Sequence, residues 1–241
     1  MQLKRLKRLK RKTTAATSRV QLTTITAPMS VVTEQIKTIR TNLNYAMVGQ
    51  PLKTLMVTSA IQGEGKSTVA GNLAVEYAKK GLQVLLVDAD LRRPTVHKTF
   101  RVPNQRGLSS WLSGQLEDIN DAIHPALEHL FVMPSGPKPP NPAELLASDK
   151  MTEFLTVATR KLDMVIVDAP PVLPVTDARI LAGQVDGTML VVRQNGVEKV
   201  GAHQAVEALR KAQTQLLGAV LNDVDSKTHG YGYGYYGNDA N

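Results

Sequence analysis

Short runs of apolar residues recur along the chain. Six of these runs show no polar alternation, which is typical of strands buried on both faces, at positions 55–57, 84–87, 130–133, 164–167, 188–192 and 217–221. Helices are predicted between them, at about 67–80, 107–115, 143–162 and 198–213, and a helical period of apolar residues predicts another at 30–44. This alternation predicts an α/β fold: a doubly wound, mostly parallel sheet with helices on both faces.

The first apolar run leads into the pattern of a phosphate-binding loop. The residues AIQGEGKS (60–67) match this pattern, with Ala60 in place of the usual first glycine. Glycines let backbone N–H groups approach a phosphate, and the following helix N-terminus adds unpaired donors. Lys66 would reach the outer phosphates and Ser67 would ligate Mg²⁺; the alternative is a chance glycine-rich turn. The predicted nucleotide contacts here are Gly63, Glu64, Gly65, Lys66, Ser67 and Thr68.

Two later apolar runs end in aspartates. Asp88 and Asp90 follow the second run, and Asp168 follows the fourth. Because ligands of such sheets bind at the carboxyl ends of the strands, we expect these acids beside the phosphate-binding loop. An acid such as Asp168 there suits a direct or water-mediated Mg²⁺ contact. Arg92 follows the first pair closely, and the alternative for this group is a structural ion-pair cluster at a strand end.

The net charge of +8 comes almost entirely from one end of the chain. Seven basic residues lie between Lys4 and Lys12, which leaves +1 for the rest. This segment is either a solvated charge run or an anchor on an anionic membrane surface. A nucleic-acid partner is not expected, because the body is nearly neutral. The chain has no cysteine, no metal-like histidine spacing and no apolar run of the roughly 20 residues that span a membrane. We therefore expect a soluble intracellular protein.

The predicted helix at 30–44 follows a Thr/Ala/Ser-rich segment, 13–28, that has no periodicity and is expected to be a linker. Three charged residues, Glu34, Lys37 and Arg40, follow one another on this helix at three-residue steps. By residue chemistry alone they form an ordinary solvated face, with ion pairs that stabilise the helix by a few tenths of a kcal/mol. The predicted apolar face consists of Val32, Ile36, Ile39 and Leu43.

The carboxyl-terminal segment is rich in glycine and tyrosine. Four of the six tyrosines lie within six consecutive positions, Tyr231, Tyr233, Tyr235 and Tyr236. Glycine-rich spacing disfavours helix and strand packing, so these rings are not expected in the core. The segment is either an adhesive low-complexity tail or a cluster of hydroxyls that accept phosphate. The predicted boundaries are an extension and linker at 1–28, a phosphate-loop domain at 29–225 and this tail at 226–241.

Four motifs in order, followed by the tail, resemble those of one protein family. The segment 60–67 is similar to the family's first Walker motif, and LLVDADLR (85–92) is similar to the additional Walker motif that marks the family. VIVDAP (165–170) is similar to its Walker B motif, and GPKPPNPAELL (136–146) is similar to a fourth segment. The chain resembles the bacterial tyrosine kinases of capsular and exopolysaccharide biosynthesis, specifically the separate cytoplasmic kinase of Firmicutes. The resemblance covers about residues 28–237. It implies an ATP-dependent autokinase that phosphorylates its tyrosine tail and regulates polysaccharide synthesis and export.

The resemblance implies roles for the predicted site residues, with ATP and Mg²⁺ as cofactors. Lys66 would bind phosphates, and Ser67, Asp90 and Asp168 would organise Mg²⁺. Asp88 resembles the acid that takes the proton of the tyrosine hydroxyl, whose ordinary pKa is about 10. The implied catalytic residues are Lys66, Asp88, Asp90 and Arg92. The remaining implied contacts are those of Thr68 with the inner phosphates and of Asn222 with the adenine base.

The resemblance also implies partners. These are the cytoplasmic tail of a membrane adaptor of the polysaccharide co-polymerase type, which activates the kinase, and a cognate tyrosine phosphatase. The kinase would be cytoplasmic and recruited to the inner face of the cell membrane. The family's motif for assembly into a homo-oligomeric ring is Glu-x-x-Arg-x-x-Arg, which Glu34 and Arg40 match, but Lys37 occupies the middle position. Lysine keeps the charge of arginine but loses its planar fork for bidentate pairing, so the chain departs from the motif at this position.

Two other functions are compatible with the predicted fold. A partition or division-site ATPase would act as a dimerising switch on DNA or membrane, and such ATPases resemble this chain in all three Walker motifs. They usually carry a second lysine early in the phosphate loop, where this chain has Ile61. That difference and the tyrosine tail favour the kinase, whereas the basic amino-terminal segment favours the ATPase. The third function is a non-catalytic, nucleotide-gated adaptor that regulates polysaccharide export.

Overall fold

A computed structural model describes residues 22–47 and 49–225, which form one sheet with helices on both faces. The basic segment 4–12 and the tyrosines at 231–236 lie outside the described residues. The strands are β1 (Thr54–Ser59), β2 (Val84–Asp88), β3 (His124–Leu127), β4 (Leu130–Met133), β5 (Met164–Asp168), β6 (Gly187–Arg193) and β7 (Leu216–Asn222). The α-helices are α1 (Thr23–Thr26), α2 (Val31–Ala46), α3 (Lys66–Ala78), α4 (Val96–Phe100), α5 (Leu108–Leu112), α6 (Pro142–Leu146), α7 (Asp149–Lys161), α8 (Asp177–Ala182) and α9 (Lys199–Lys211), with a 3₁₀ helix at Ile119–Ala122.

The described strands form a sheet in the order β3-β4-β2-β5-β1-β6-β7. Neighbouring strands pair in parallel, except β3 with β4. The central strands β1, β2 and β5 are buried along their whole length, as their mostly apolar residues require. This arrangement confirms the predicted α/β fold with a doubly wound, mostly parallel sheet.

Alternate residues of the central strands face two separate apolar layers. In β1, Leu55 and Val57 face the layer formed with α2 and α3, whereas Met56 faces the layer formed with α7, α8 and α9. All three side chains are fully buried, and burial of a side chain of this size contributes roughly 1.5–3 kcal/mol. The two layers together fix the position of the carboxyl edge of the sheet, where the predicted site residues lie.

Several short elements were not predicted from the apolar pattern. β3 is an edge strand of four residues whose side chains alternate between half-buried and exposed. It contains Pro125, which an edge strand tolerates because one of its sides has no ladder hydrogen bonds. The unpredicted helices α1, α4 and α8 have four to six residues, too few to show a helical period. The short helix predicted at 107–115 corresponds to α5.

The single helix predicted at 143–162 is two helices, α6 and α7. Ser148 separates them with an extended backbone, φ −72° and ψ 153°. Its hydroxyl donates a 2.7 Å hydrogen bond to Leu145 O. Serine competes with helical hydrogen bonding in this way, and Asp149 places a negative charge at the start of α7, where the helix dipole favours it. The prediction of one continuous helix was therefore wrong.

The segment predicted as a linker, 13–28, contributes to the packed fold at its carboxyl end. Thr24 in α1 is fully buried, and its N–H and hydroxyl each donate a 2.9 Å hydrogen bond to Asn72 Oδ1 on α3. Lys79 Nζ donates to Thr24 O, and Leu22 packs against the layer of α2 and α3. The linker prediction was therefore wrong for α1, because these polar contacts leave no periodic signal in the sequence.

Helix α2 corresponds to the helix predicted at 30–44. Its N-cap, Ser30, accepts a 3.2 Å hydrogen bond from Thr33 N, which satisfies one of the first N–H groups of the helix. Ile36 and Leu43 are buried as predicted, whereas Val32 is 49% exposed and does not belong to the core. Within the described ranges, no helix is long and apolar enough to cross a membrane.

The three charged residues on α2, here called the α2 triad (Glu34, Lys37 and Arg40), do not share one environment. Lys37 Nζ lies 2.8 Å from Glu34 Oε1, and both side chains are exposed. Arg40 instead donates a 3.1 Å hydrogen bond to Glu76 O on α3, and its Nη1 lies 3.7 Å from Glu76 Oε2. Only 12% of the Arg40 side chain is exposed, so its charge is engaged within the subunit. The ring interface stays a prediction.

Candidate active site

The phosphate-binding loop joins β1 to α3 with the backbone that its motif predicts. Gly63 and Gly65 have φ angles of 87° and 91°, in a region that side chains disfavour. α3 begins at Lys66, and the first N–H groups of a helix have no partner within it and are available to an anion. A Cβ at Gly65 would lie 2.0 Å from Asn222 Nδ2. Both the backbone and this neighbour therefore favour glycine at position 65.

Three acids and one lysine meet at the carboxyl edge of the sheet. Asp88 and Asp168 end the neighbouring strands β2 and β5 and are paired in register. Lys66 Nζ lies 3.1 Å from Asp168 Oδ1 and 3.0 Å from Asp90 Oδ2. The Ser67 hydroxyl oxygen is 3.3 Å from the same nitrogen. The structure thus brings together five of the predicted site residues.

The charge of Lys66 is stabilised by the acids around it. Burial disfavours the ammonium form, but the carboxylates of Asp168, Asp90 and Asp88 outweigh this effect and raise the pKa of Lys66 above its ordinary value. Burial also raises the pKa of Asp168, against the opposing charge of Lys66. Lys66 is therefore positively charged throughout the physiological pH range, as a phosphate-binding residue must be.

Asp88 has the surroundings of a proton acceptor that works near neutral pH. Burial, followed by the charge of Asp168, raises the pKa of Asp88 to about 7, although the charge of Lys66 opposes this. Its Oδ2 accepts hydrogen bonds from Thr95 N at 3.0 Å and Val96 N at 2.9 Å, at the start of α4. These donors fix the orientation of the carboxyl group. A carboxyl of this pKa gains and loses a proton readily at pH 7.

The oxygens of Ser67, Asp90 and Asp168 fit a Mg²⁺ ion that is bound together with phosphates. Mg²⁺ is usually held by one or two carboxylates, with phosphate and water oxygens completing its shell. Asp168 Oδ2 is buried and has no hydrogen-bond partner in the described part of the chain, so it is available as a ligand. Residues 22–47 and 49–225 contain no cluster of three or more His, Cys, Asp or Glu side chains that could hold a metal. The ion would therefore need nucleotide oxygens.

Arg92, a predicted catalytic residue, is held by an acid at the start of α8. Its Nε and Nη2 donate to the two carboxylate oxygens of Asp177, at 2.8 and 3.0 Å. The Asp177 side chain is fully buried, whereas 40% of the Arg92 side chain is exposed. This bidentate hydrogen bonding raises the pKa of Arg92 and compensates for the burial of the carboxylate. The catalytic role of Arg92 stays a prediction.

The remaining predicted nucleotide contacts lie around the loop. Asn222 ends β7, and its Nδ2 donates a 3.0 Å hydrogen bond to Glu64 O. The Glu64 carboxylate is buried and accepts a 2.9 Å hydrogen bond from Ile61 N, so its side chain is engaged with the loop itself. Thr68 is half-buried in the first turn of α3. The contacts of all three residues with a nucleotide stay predictions.

Some groups that support the site were missed by sequence reasoning. The N–H groups of Thr95 and Val96 hold Asp88, and the Asp177 carboxylate holds Arg92. Backbone donors have no side-chain signature in a sequence. A local signal existed for Asp177, since a threonine followed by an aspartate is typical of a helix start, but the six-residue α8 shows no periodicity that would support it.

Comparison with known proteins identifies the family of this site. The family model ParA, described as NUBPL iron-transfer P-loop NTPase, matches residues 51–229. Over 227 residues the chain is 48% identical to tyrosine-protein kinase YwqD of Bacillus subtilis (strain 168), which covers 93% of this chain and 95% of that protein. The chain belongs to the bacterial tyrosine kinases of capsule synthesis. The kinase has no cysteine, so it lacks the thiolate ligands of iron–sulfur clusters.

Two solved structures are similar to this kinase along most of its length. The kinase domain of Escherichia coli tyrosine kinase ETK matches with a TM-score of 0.83 and 34% identity, over 94% of this chain and 89% of that one. The chimerical protein CapA2B2 matches with a TM-score of 0.80 and 36% identity, over 83% and 88% of the two chains. The predicted recognition of the family and of its P-loop fold is thereby confirmed.

Proposed function

We propose that this kinase transfers the γ-phosphoryl group of ATP, together with Mg²⁺, to tyrosines of its own carboxyl-terminal tail. The observation that supports this most directly is the position of β7. Its last residue, Asn222, donates a hydrogen bond to Glu64 O in the phosphate-binding loop, so residues 223–225 leave the sheet beside this loop. The proposed acceptors are Tyr231, Tyr233, Tyr235 and Tyr236.

The clustered residues account for each part of this transfer. Lys66 places its positive charge on the outer phosphates, where charge develops in the transition state. Bound Mg²⁺, held by Ser67, Asp90 and Asp168, would neutralise phosphate charge. The tyrosine oxygen forms a bond to the γ-phosphorus while the bond from that phosphorus to the bridging oxygen breaks, which releases ADP. Asp88 accepts the phenol proton, which its pKa of about 7 permits near neutral pH.

The tail is long enough to reach either its own site or that of a neighbour. From Asn222 to Tyr235 there are 13 residues, and a flexible chain of that length spans about 20 Å on average and at most roughly 45 Å. A short tether must fold back to enter its own site, whereas a neighbouring subunit lies outward. The transfer is therefore proposed to occur mainly in trans, between subunits joined through the α2 triad. Each phosphate adds about −1.5 to −2 charges, and the resulting repulsion releases the tail and loosens the assembly.

The proposed activator is the cytoplasmic tail of a membrane adaptor. This is supported by the similarity to CapA2B2, whose name describes a chimera. Adaptor binding would recruit the kinase to the inner face of the cell membrane, where the basic residues between Lys4 and Lys12 would contact anionic lipids. A cognate tyrosine phosphatase would reverse the modification. The regulated process is the synthesis and export of a capsular polysaccharide or exopolysaccharide.

The experiment that tests this function is labelling with γ-labelled ATP, with and without the adaptor's cytoplasmic tail, followed by phosphoamino-acid analysis. We expect phosphotyrosine in the wild-type protein and none in Lys66→Met, which keeps the fold and loses the phosphate counter-charge. A folded Lys66→Met protein that autophosphorylates fully would contradict the mechanism. Hydrolysis of ATP without phosphotyrosine would favour the partition-type ATPase, and nucleotide binding without either product would favour the non-catalytic adaptor.

A mixture of two variants tests the direction of transfer. One is Lys66→Met with its tail intact, and the other is an active protein that lacks residues 226–241. We expect the tyrosines of the inactive chain to be labelled in the mixture. If they stay unlabelled while the wild-type protein labels itself under the same conditions, transfer occurs in cis.

A further inference from the structure

Glu64 is a buried acid inside the phosphate-binding loop, with only 1% of its surface exposed. Its two carboxylate oxygens accept hydrogen bonds from two separate backbone segments. Oε2 accepts from Ile61 N within the loop at 2.9 Å, and Oε1 accepts from Arg193 N at the end of β6 at 3.3 Å. A negative charge beside a phosphate site repels the ligand. The benefit of this carboxylate must therefore lie in the two contacts that it makes.

The contact with Arg193 continues to the residues that lead from β7 into the tail, here called the tail root (residues 222–225). The Arg193 guanidinium lies 2.6 Å (Nη2) and 2.8 Å (Nε) from Asp223 Oδ2. Gln194 N donates to Asn222 O at 2.9 Å, and Asp225 N donates to Gln194 Oε1 at 2.6 Å. The loop after β6 is thus bonded to the tail root on one side and to Glu64 on the other.

A second contact joins the tail root directly to the phosphate-binding loop. Asn222, in the tail root, donates its side-chain amide to Glu64 O at 3.0 Å. Gly196 allows Arg193 and Glu64 to approach each other closely, because a Cβ at position 196 would lie 2.9 Å from Arg193 Cβ and 3.4 Å from Glu64 Oε1. The side chain of Glu64 is therefore bonded to the end of β6, and its main chain is bonded to the end of β7.

We propose that Glu64 is a positioning residue that ties the phosphate-binding loop to the tail root. Each of its carboxylate oxygens faces an N–H group, so both must be acceptors. Glutamine has the same shape but offers one acceptor oxygen and an NH₂ group that would face one of the donors. The tie holds the loop in the conformation that binds nucleotide and makes that conformation depend on contacts at the tail root. Only the tail's role as substrate rests on the proposed function.

The first test is nucleotide binding by the full-length Glu64→Gln protein, measured by calorimetry with Mg²⁺-ADP. We expect about a tenfold weaker affinity, the effect of one buried donor left unsatisfied. The KM for ATP should rise similarly with kcat retained, because Lys66 and Asp88 are unchanged. Simple loss of folded protein would instead lower kcat and leave KM unchanged. The matched control is Glu207→Gln, an exposed glutamate on α9 that pairs with Arg210, for which no change is expected.

The second test asks whether the tail root acts through Glu64. Asp223→Asn weakens the ion pair with Arg193 without touching the loop, and should weaken nucleotide binding about twofold to threefold. In the Glu64→Gln background the same substitution should have no further effect, since coupled residues are not additive. Unchanged nucleotide affinity in Glu64→Gln, or full additivity of the two substitutions, would overturn the proposal.

If Glu64→Gln does not fold, Gly196→Ala tests the same contact from the other side while keeping the carboxylate. Its Cβ would push Arg193 away from Glu64, so several-fold weaker nucleotide binding is expected, and wild-type affinity in this variant overturns the proposal. The readout distinguishes this inference from the proposed function. A protein that binds nucleotide and forms no phosphotyrosine, even with the adaptor's cytoplasmic tail present, contradicts the kinase function, whereas the affinities of these variants still decide the role of Glu64.

Discussion

Replacing Asp88 by asparagine should abolish tyrosine phosphorylation and, at neutral pH, stabilise the fold. The Asp88 carboxyl is fully buried, and burial, followed by the charge of Asp168, raises its pKa from the ordinary 3.8 to about 7. A difference of this size means that the ionised form is disfavoured in the folded protein by about 4 kcal/mol. The proton acceptor of the proposed mechanism is therefore costly to the fold, as active-site groups often are.

The sign of the effect follows from proton binding. The folded protein holds the Asp88 proton more tightly than the unfolded chain, so the stability that this group contributes is fully present below about pH 4 and is lost as the pH rises through about 7. Asparagine has no proton to lose, and it keeps an acceptor oxygen for Thr95 N and Val96 N. It loses the acceptor for Asp90 N, which donates to Asp88 Oδ1 at 3.2 Å, but this loss does not depend on pH. Between pH 5 and pH 8, the unfolding free energy of the variant should rise relative to the wild type by about 3 kcal/mol.

The assay is urea unfolding of both proteins at several pH values, without nucleotide or Mg²⁺. The control is Asp121→Asn, because Asp121 is an exposed aspartate paired with Arg106 and its replacement should change stability by less than about 1 kcal/mol at any pH. A difference between Asp88→Asn and the wild type that stays constant from pH 5 to pH 8 would refute the reasoning. Phosphotransfer by the wild type should increase with pH through about 7, as the acceptor ionises.

Other substitutions test the metal site, the loop and the assembly. Asp168→Asn should weaken Mg²⁺-ATP binding about tenfold or more while affecting metal-free ADP less; calorimetry that shows equal losses would contradict its role as a ligand. Gly65→Ala should abolish nucleotide binding and lower the unfolding free energy by roughly 1–3 kcal/mol. Gly81→Ala is its control, because it has a similar φ, 82°, and no neighbour within 4 Å; equal urea stability of the two variants would mean that the clash with Asn222 has no cost. Alanine at all three positions of the α2 triad should reduce the mass measured by light scattering to that of a monomer. An unchanged oligomeric mass would mean that these residues form an ordinary solvated helix face with no role in assembly.

The fold was predictable wherever a strand lies inside the sheet. β2 and β5 contain no polar residue before their final aspartates, so the sequence pattern shows both the burial of these strands and the place where they end. β3 and α1 were missed for the opposite reason. Each is only four residues long, too short to show a period, and α1 is held by contacts with distant residues, such as that of Thr24 with Asn72, 48 positions away.

The site was predictable as a set of residues but not as a set of partners. Motif positions place Lys66 and the three acids at one edge of the sheet, where the structure has them. The roles of the two arginines were not accessible in the same way. The partner of Arg92 lies 85 positions away, and that of Arg40 lies 36 positions away. Because sequence patterns record local spacing, an arginine that neutralises a distant acid looks like one that is free to bind a ligand.

The position of Lys66 between Asp90 and Asp168 has a consequence for the order in which ligands bind. These two carboxylates are also proposed metal ligands. A free divalent cation that enters the site must therefore displace the Lys66 ammonium group from them or share them with it, although both groups are positively charged. A cation that arrives already chelated by a polyphosphate offers the lysine a new anionic partner in the same step. On binding, the two carboxylates then exchange Lys66 for the metal ion, and Lys66 exchanges the carboxylates for the phosphates. We therefore expect the kinase to bind the preformed metal–nucleotide complex in preference to Mg²⁺ alone.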